Sequence, residues 1–133
     1  MSKSKHWKYF QPNKKDLKDK CGDCAVRSIC KAEGLEWLDA YDLMHKISRE
    51  VYDVLNSKKG FEHILKTLGY TYTGISNKKG TKRPTVDKFA SEHKNGTYVC
   101  VVATHYVTVQ DGYFYDTWDS GQYSMYGYWT KEC

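Results

Sequence analysis

The stretch "TYVCVVATHYVTVQDGYFYDTW", Thr97 to Trp118, decides what kind of domain this chain builds. It is dense in β-branched and aromatic residues and is interrupted by turn signals at Ala103-Thr104 and Asp111-Gly112, which predicts a three-stranded antiparallel meander. With Asp111-Gly112 as a two-residue turn, Gln110 faces Tyr113, Val109 faces Phe114, Val107 faces Asp116 and His105 faces Trp118. Alternate residues share a face, so His105, Val107 and Val109 lie together, and Asp116 sits diagonal to His105 within hydrogen-bonding reach. Asp119 points the other way if the strand continues. A carboxylate in that position fixes an imidazole's tautomer and steadies its positive form, which is what an acid-base catalyst needs.

Working outward, "SMYGYWT" can add a fourth strand after the loop at Ser120-Gly121. The region before the meander reads as helical. A helix opens at Asp23, a candidate N-cap, with Val26, Ile29 and Cys30 on one face and Gly34 as its stop. A second runs from about Glu36 with Trp37, Leu38, Tyr41, Met44 and Ile47 at helical spacing, and a third carries Phe61, Ile64, Leu65 and Leu68 and ends at Gly69. A short fourth helix lies in "TVDKFASEHKNG", stopping at Asn95-Gly96. Residues 1–20 are polar and basic, with a turn at Pro12-Asn13, and read as an arm lying on the domain. The expectation is one α+β domain over residues 1–133: an arm (1–20), a mainly helical part (23–95) and an antiparallel sheet (97–130).

Composition narrows the function classes. The chain has 133 residues, enough for a core without disulfides or metal. No N-terminal apolar run suggests a secretory signal or a membrane span, so a reducing cytosol is expected. The formal charge of +5 comes largely from the N-terminal lysines and from "SNKKGTKR", Ser76 to Arg83. Such a cluster can contact phosphates, but a solvated lysine-rich loop is the commoner reading, and a nucleic-acid partner is not favoured.

The cysteines bear most directly on chemistry. Their number, five, is odd and their spacing follows no secreted framework, so they read as free thiols. Cys21 and Cys24 form a C-x-x-C, which can be half a zinc site, a redox pair, or one working thiol beside a bystander. Zinc would need a second close ligand pair, and the chain has no other C-x-x-C and no H-x-x-x-H. A redox motif would follow a strand in a β-α-β unit, whereas this one follows a polar arm. No metal and no cofactor are therefore expected. Cys24 falls in the first turn of the helix that Asp23 opens, where unpaired N–H groups and the helix dipole favour a thiolate. Cys24 with His105 is thus a candidate nucleophile-base pair. Among the rivals, Cys30 and Cys100 lie on apolar faces, Cys133 is terminal and Cys21 precedes the cap. His6 lies in the arm, His45 and His63 on helices and His93 at a helix end, none with an acid supplied by a strand.

"GDCAVRSICKAEGLEW" (Gly22 to Trp37) and "GTYVCVVATHYVTVQDGYFYDTWDS" (Gly96 to Ser120) resemble the small papain-like cysteine-peptidase-fold proteins of bacteria and their phages. In those proteins a GDC-x-x-R stretch opens the central helix and a strand histidine precedes a "DG…YDTWD" hairpin. The chain is similar, more distantly, to the leader-removing peptidases of bacteriocin exporters, which place an Asp-Cys pair at the same helix start. The resemblance implies a papain-like thiol hydrolase, with Cys24 as nucleophile, His105 as base and Asp116 as orienting acid, in a bacterial or phage-infected cytoplasm. Its substrate would be a protein or peptide. The family's usual oxyanion-binding glutamine, some six residues before the nucleophile, is here Lys18. Gln11 or Asn13 of the arm is the expected substitute, unless backbone N–H groups act alone. Arg27, one turn after Cys24, is either a holder of a substrate carboxylate or a solvated or salt-bridged arginine. The alternative function is a catalytically idle fold that binds a protein, such as a phage inhibitor of a host protein, through Tyr123, Tyr126, Tyr128 and Trp129.

Overall fold

The computed structural model describes residues 3–76 and 82–131. The basic loop expected to carry much of the charge lies mostly outside the described residues, as does Cys133. The order is β1 (Trp7–Tyr9), α1 (Cys24–Glu33), α2 (Trp37–Ser48), a single 3-10 turn (Arg49–Val51), α3 (Lys58–Thr67), β2 (Thr71–Gly74), α4 (Val86–Glu92), β3 (Thr97–Val102), β4 (His105–Gln110), β5 (Tyr113–Asp116) and β6 (Gly127–Thr130). The architecture is α+β, as expected.

The meander forms in the expected register. Gln110 pairs with Tyr113 and Val109 with Phe114, and Asp111 and Gly112 both have positive φ, 49° and 90°. That is the backbone of the tight hairpin turn whose twist matches the flanking strands. Thr104, at φ 53°, turns β3 into β4, and β6 pairs with β3.

The sheet is larger and less uniform than expected. It has six strands in the order β1-β5-β4-β3-β6-β2, and β1 runs parallel to β5 while its other pairings are antiparallel. The segment read as a surface arm therefore supplies an edge strand, with Trp7 opposite Phe114 and Tyr9 opposite Asp116. The other edge, β2, comes from the part read as mainly helical. All four of its residues are exposed, so no alternation of apolar and polar residues marked it as a strand.

Each face of the sheet buries its own cluster. On β3, Val99 and Val101 join Ile29, Met44, Phe61 and Ile64 from α1 to α3, whereas Cys100 and Val102 join Phe89 of α4, Phe114 and Met125. The period-two alternation of the strand thus sorts its side chains between two helical layers. Thr108, on the α1 side, donates to the Ser28 carbonyl at 2.8 Å, which satisfies a buried hydroxyl where helix meets sheet.

Local signals set several of the helix ends. Gly34 takes φ 68° and its N–H returns to the Cys30 carbonyl, closing α1. Ser57 caps α3 by accepting from the Gly60 N–H, and Thr85 caps α4 by accepting from Lys88. Leu38, read as a core position of α2, faces solvent, and Ala40 takes the buried place instead. The fourth helix stops at Glu92, earlier than the Asn95-Gly96 signal. No helix among the described residues is long and apolar enough to cross a membrane.

Candidate functional site

Cys24 is the first residue of α1, His105 the first of β4 and Asp116 the last of β5, so the three meet at one end of the sheet. They converge as strand parity and the helix start predicted. The His105 Nε2 lies 2.6 Å from Asp116 Oδ2. His105 and the Tyr106 backbone N–H are the neighbours that favour the Cys24 thiolate, and Cys24 in turn favours the charged His105. With Nε2 given to the carboxylate, Nδ1 is the ring nitrogen left for the thiol.

Asp116 is almost completely buried and fully partnered. Its Oδ1 accepts from Arg27 Nη2 at 3.2 Å and from the Thr117 N–H at 2.8 Å, and its Oδ2 also accepts from Ser120 Oγ at 2.7 Å. Asp119 does a different job. It accepts from the backbone N–H groups of Ser4 and Gly121. Slight burial pushes its carboxyl up, but these donors outweigh that and hold it below the usual range.

Arg27 is not a solvated side chain or a free anion receptor. Its guanidinium is buried between Asp23 and Asp116 and bonded to both, so those donors are already committed. Asp23 occupies the N-cap position, yet its side chain makes no capping hydrogen bond. Its carboxylate instead accepts from Arg27 Nη1, from Trp37 Nε1 at 2.8 Å and from Asn13 Nδ2 at 3.4 Å. A buried guanidinium needs that carboxylate more than the helix end does. As a result the first N–H groups of α1 are left without a side-chain acceptor; the first intrahelical bond is from the Arg27 N–H to the Asp23 carbonyl, at 2.9 Å. Arg27's bond to Asp116 could not be read from the sequence, because the partners are 89 residues apart.

The thiols differ sharply. Burial opposes ionisation of Cys24, but His105, the Tyr106 N–H and Arg27 together outweigh it and lower its pKa below the ordinary thiol value. Burial also disfavours the His105 imidazolium, yet Asp116 and the thiolate raise its pKa to about 9. The two shifts describe one thiolate-imidazolium pair. Cys21, three residues away, moves the opposite way through partial desolvation and the nearby Asp23 and Asp16 carboxylates. Burial pushes Cys30 up to about 12 and raises Cys100 as well, which is the behaviour of core thiols.

Cys24 and His105 face an open cleft of about 490 Å³, also lined by Asn56, Val102, Thr104, Tyr106 and Trp118, while Asp116 is buried behind His105. Trp118 packs on His105 at 5.2 Å between ring centroids. Neither Gln11 nor Asn13 lines the cleft. The Gln11 amide donates to Asp16 and Asp19 while its oxygen holds the Asn13 N–H, and the Asn13 oxygen accepts from the Lys15 N–H. The Gln11 amide is thus spent within the arm, and the Asn13 amide is divided between the arm and the Asp23 carboxylate. Asn56, which sequence reasoning missed, brings a carboxamide to the cleft from the loop before α3.

Of the aromatics expected as a binding patch, Trp129 is buried and Tyr128 packs on Phe89 and Tyr98, while Tyr123 and Tyr126 are exposed. Among the described residues no group of three or more His, Cys, Asp or Glu side chains is placed to hold a metal ion.

Compared with protein-family models, curated proteins and solved structures, the chain matches none.

Proposed function

We propose that this chain is a papain-like thiol hydrolase acting on a peptide, isopeptide or other amide bond. The observation that carries the reading is the meeting of Cys24 and His105 in one open cleft, with Asp116 buried behind the ring and bonded to it, the thiol pKa lowered and the imidazole pKa raised. The Cys24 thiolate attacks the carbonyl carbon, and the His105 imidazolium passes its proton to the departing amine nitrogen, leaving a thioester on Cys24. Neutral His105 then takes a proton from water as the water attacks the thioester, and the acid leaves with the thiolate restored. Asp116 holds the ring throughout, and Arg27 holds Asp116. The developing oxyanion is met by backbone N–H groups at the uncapped start of α1, with Asn56 facing the same cleft.

A second reading is an idle papain-like fold that binds a host protein. It is favoured by the absence of Gln11 and Asn13 from the cleft and by the exposed aromatic surface at Trp118, Tyr123 and Tyr126. One measurement separates the two. Near pH 6 an unperturbed thiol of pKa ~8.5 is almost wholly protonated, so iodoacetamide should label Cys24 faster than the other four cysteines. His105→Ala should slow Cys24 and leave Cys21 as it was. If Cys24 reacts no faster than Cys21 and is indifferent to His105, the pair does not exist in solution and the binding reading takes over.

A further inference from the structure

A second cavity of about 460 Å³ adjoins the catalytic cleft, and Gly22, Asp23 and Asn56 line both. One of its walls is a stripe down α2. Trp37, Tyr41 and His45 stand four residues apart and so rise from one helix face, with ring centroids 5.3 Å apart for the first pair and 6.1 Å for the second. Val54 and Leu55, from the loop before α3, also line it. The backbone of that loop is held in place: Ser57 donates to the Val54 carbonyl at 3.0 Å, and a Cβ on Gly60 would meet the same oxygen at 2.0 Å. The head of the stripe is tied to the catalytic network, since the Trp37 indole donates to the Asp23 carboxylate that also holds Arg27.

The hydrolytic steps use none of this wall. We infer that the cavity receives an aromatic side chain of the substrate, adjacent to the bond that Cys24 attacks, an inference that rests on the thiol-hydrolase reading. Tilted ring faces suit an aromatic guest, which packs edge-to-face or offset. Of the charged groups lining the cavity, Arg49 and Asp53 are of opposite sign and Asp23 is already paired with Arg27, so none demands an ionic guest. The passage between cleft and cavity is open at Gly22, where a Cβ would meet nothing within 4 Å. A side chain at position 22 would start from that opening with its Cβ clear of the protein.

The test compares iodoacetamide with N-phenethyl iodoacetamide at Cys24, each rate divided by that of free glutathione with the same reagent. The aryl reagent should gain about tenfold on Cys24, equivalent to ~1.4 kcal/mol. Gly22→Leu and Tyr41→Ala should each remove most of that gain. Gly22→Leu carries the test if loss of Tyr41 disturbs α2, because position 22 is exposed and uncrowded. No aryl gain in the wild type, or a gain that survives both substitutions, overturns the inference while leaving the hydrolase reading intact. If iodoacetamide itself does not prefer Cys24 to Cys21, the hydrolase reading fails and the inference falls with it.

Discussion

The floor of the cleft and its α2-side wall are built on opposite terms. On the floor, Asp23, Arg27, Asp116 and His105 form a chain of charged hydrogen bonds whose side chains are at most 10% exposed. On the wall, the backbone is fixed by Ser57 and Gly60, but Val54 is 62% exposed and the neighbouring Tyr52 98%. Tyr52 also sits at φ 56°, a left-handed conformation with no glycine to ease it. The difference teaches which part of the site must be exact. Proton transfer requires atoms at fixed positions, and the protein spends buried charge on them. Receiving a guest, the role proposed for the wall, tolerates movable side chains, and there only Trp37, Tyr41 and Leu55 are packed against the core while Val54 is left in water.

If that contrast is right, the largest effect comes from cutting the floor at its centre. Arg27→Met leaves two carboxylates buried without their cation and should destabilise the fold by about 3–5 kcal/mol, seen as a lower urea midpoint. Adding Asp116→Asn should recover part of the loss, because one of the stranded charges is gone. Additive effects would mean that the two residues do not share the network.

Next in size is the choice of acid. Asp116→Asn should reduce hydrolysis, or Cys24 alkylation near pH 6, by a factor of about 100 or more. Asp119→Asn should leave either rate within about threefold, since a surface change of ~0.5 kcal/mol is usual away from such features. The opposite order would detach His105 from Asp116 in solution.

The pH profile sharpens the comparison further. Activity should rise on an acid limb below the ordinary thiol range, because the Cys24 pKa is lowered, and should fall near pH 9 as the imidazolium is lost. The stability due to His105 should be fully present below its unfolded pKa of ~6.5 and lost as pH rises through about 9. That due to Cys24 has the other sign, present above the ordinary thiol value and lost as pH falls through the lowered one. A base limb near 7 would show that Asp116 does not hold the proton on His105.

The smallest effect belongs to the wall. Tyr52→Gly should stabilise the protein by about 1 kcal/mol or less, by removing left-handed strain at a side chain with almost no burial. A loss of stability there would mean that Tyr52 makes contacts that fix the wall.

How far the sequence foretold each region follows from how local its signals are. The hairpin register depended on a two-residue turn and on strand parity, so His105 and Asp116 could be paired without knowing the fold. Cys24 needed only a helix start. The assignments that differ concern side chains with competing partners or segments without pattern. The Gln11 amide is taken up within the arm, and the Asn13 amide by Lys15 and by the Asp23 carboxylate, uses that no motif announces. Asp23 obeyed a local capping rule in position but not in bonding, because Arg27 and Trp37 compete for it. Strands β1 and β2 have three and four residues and are mostly exposed, so neither carries an alternation to read.

The pairing of β1 with β5 also bears on the order of events during synthesis. The Asp116 carbonyl accepts from the Trp7 indole and from the Phe10 N–H, so β1 is completed by a strand made well after it, across a separation of 109 residues for the indole bond. A chain emerging from the ribosome exposes Cys24 early, when neither its base nor the acid that holds the base has been translated. Until both are made the thiol lacks the partner that lowers its pKa most, and its reactivity arrives with the closing of the sheet.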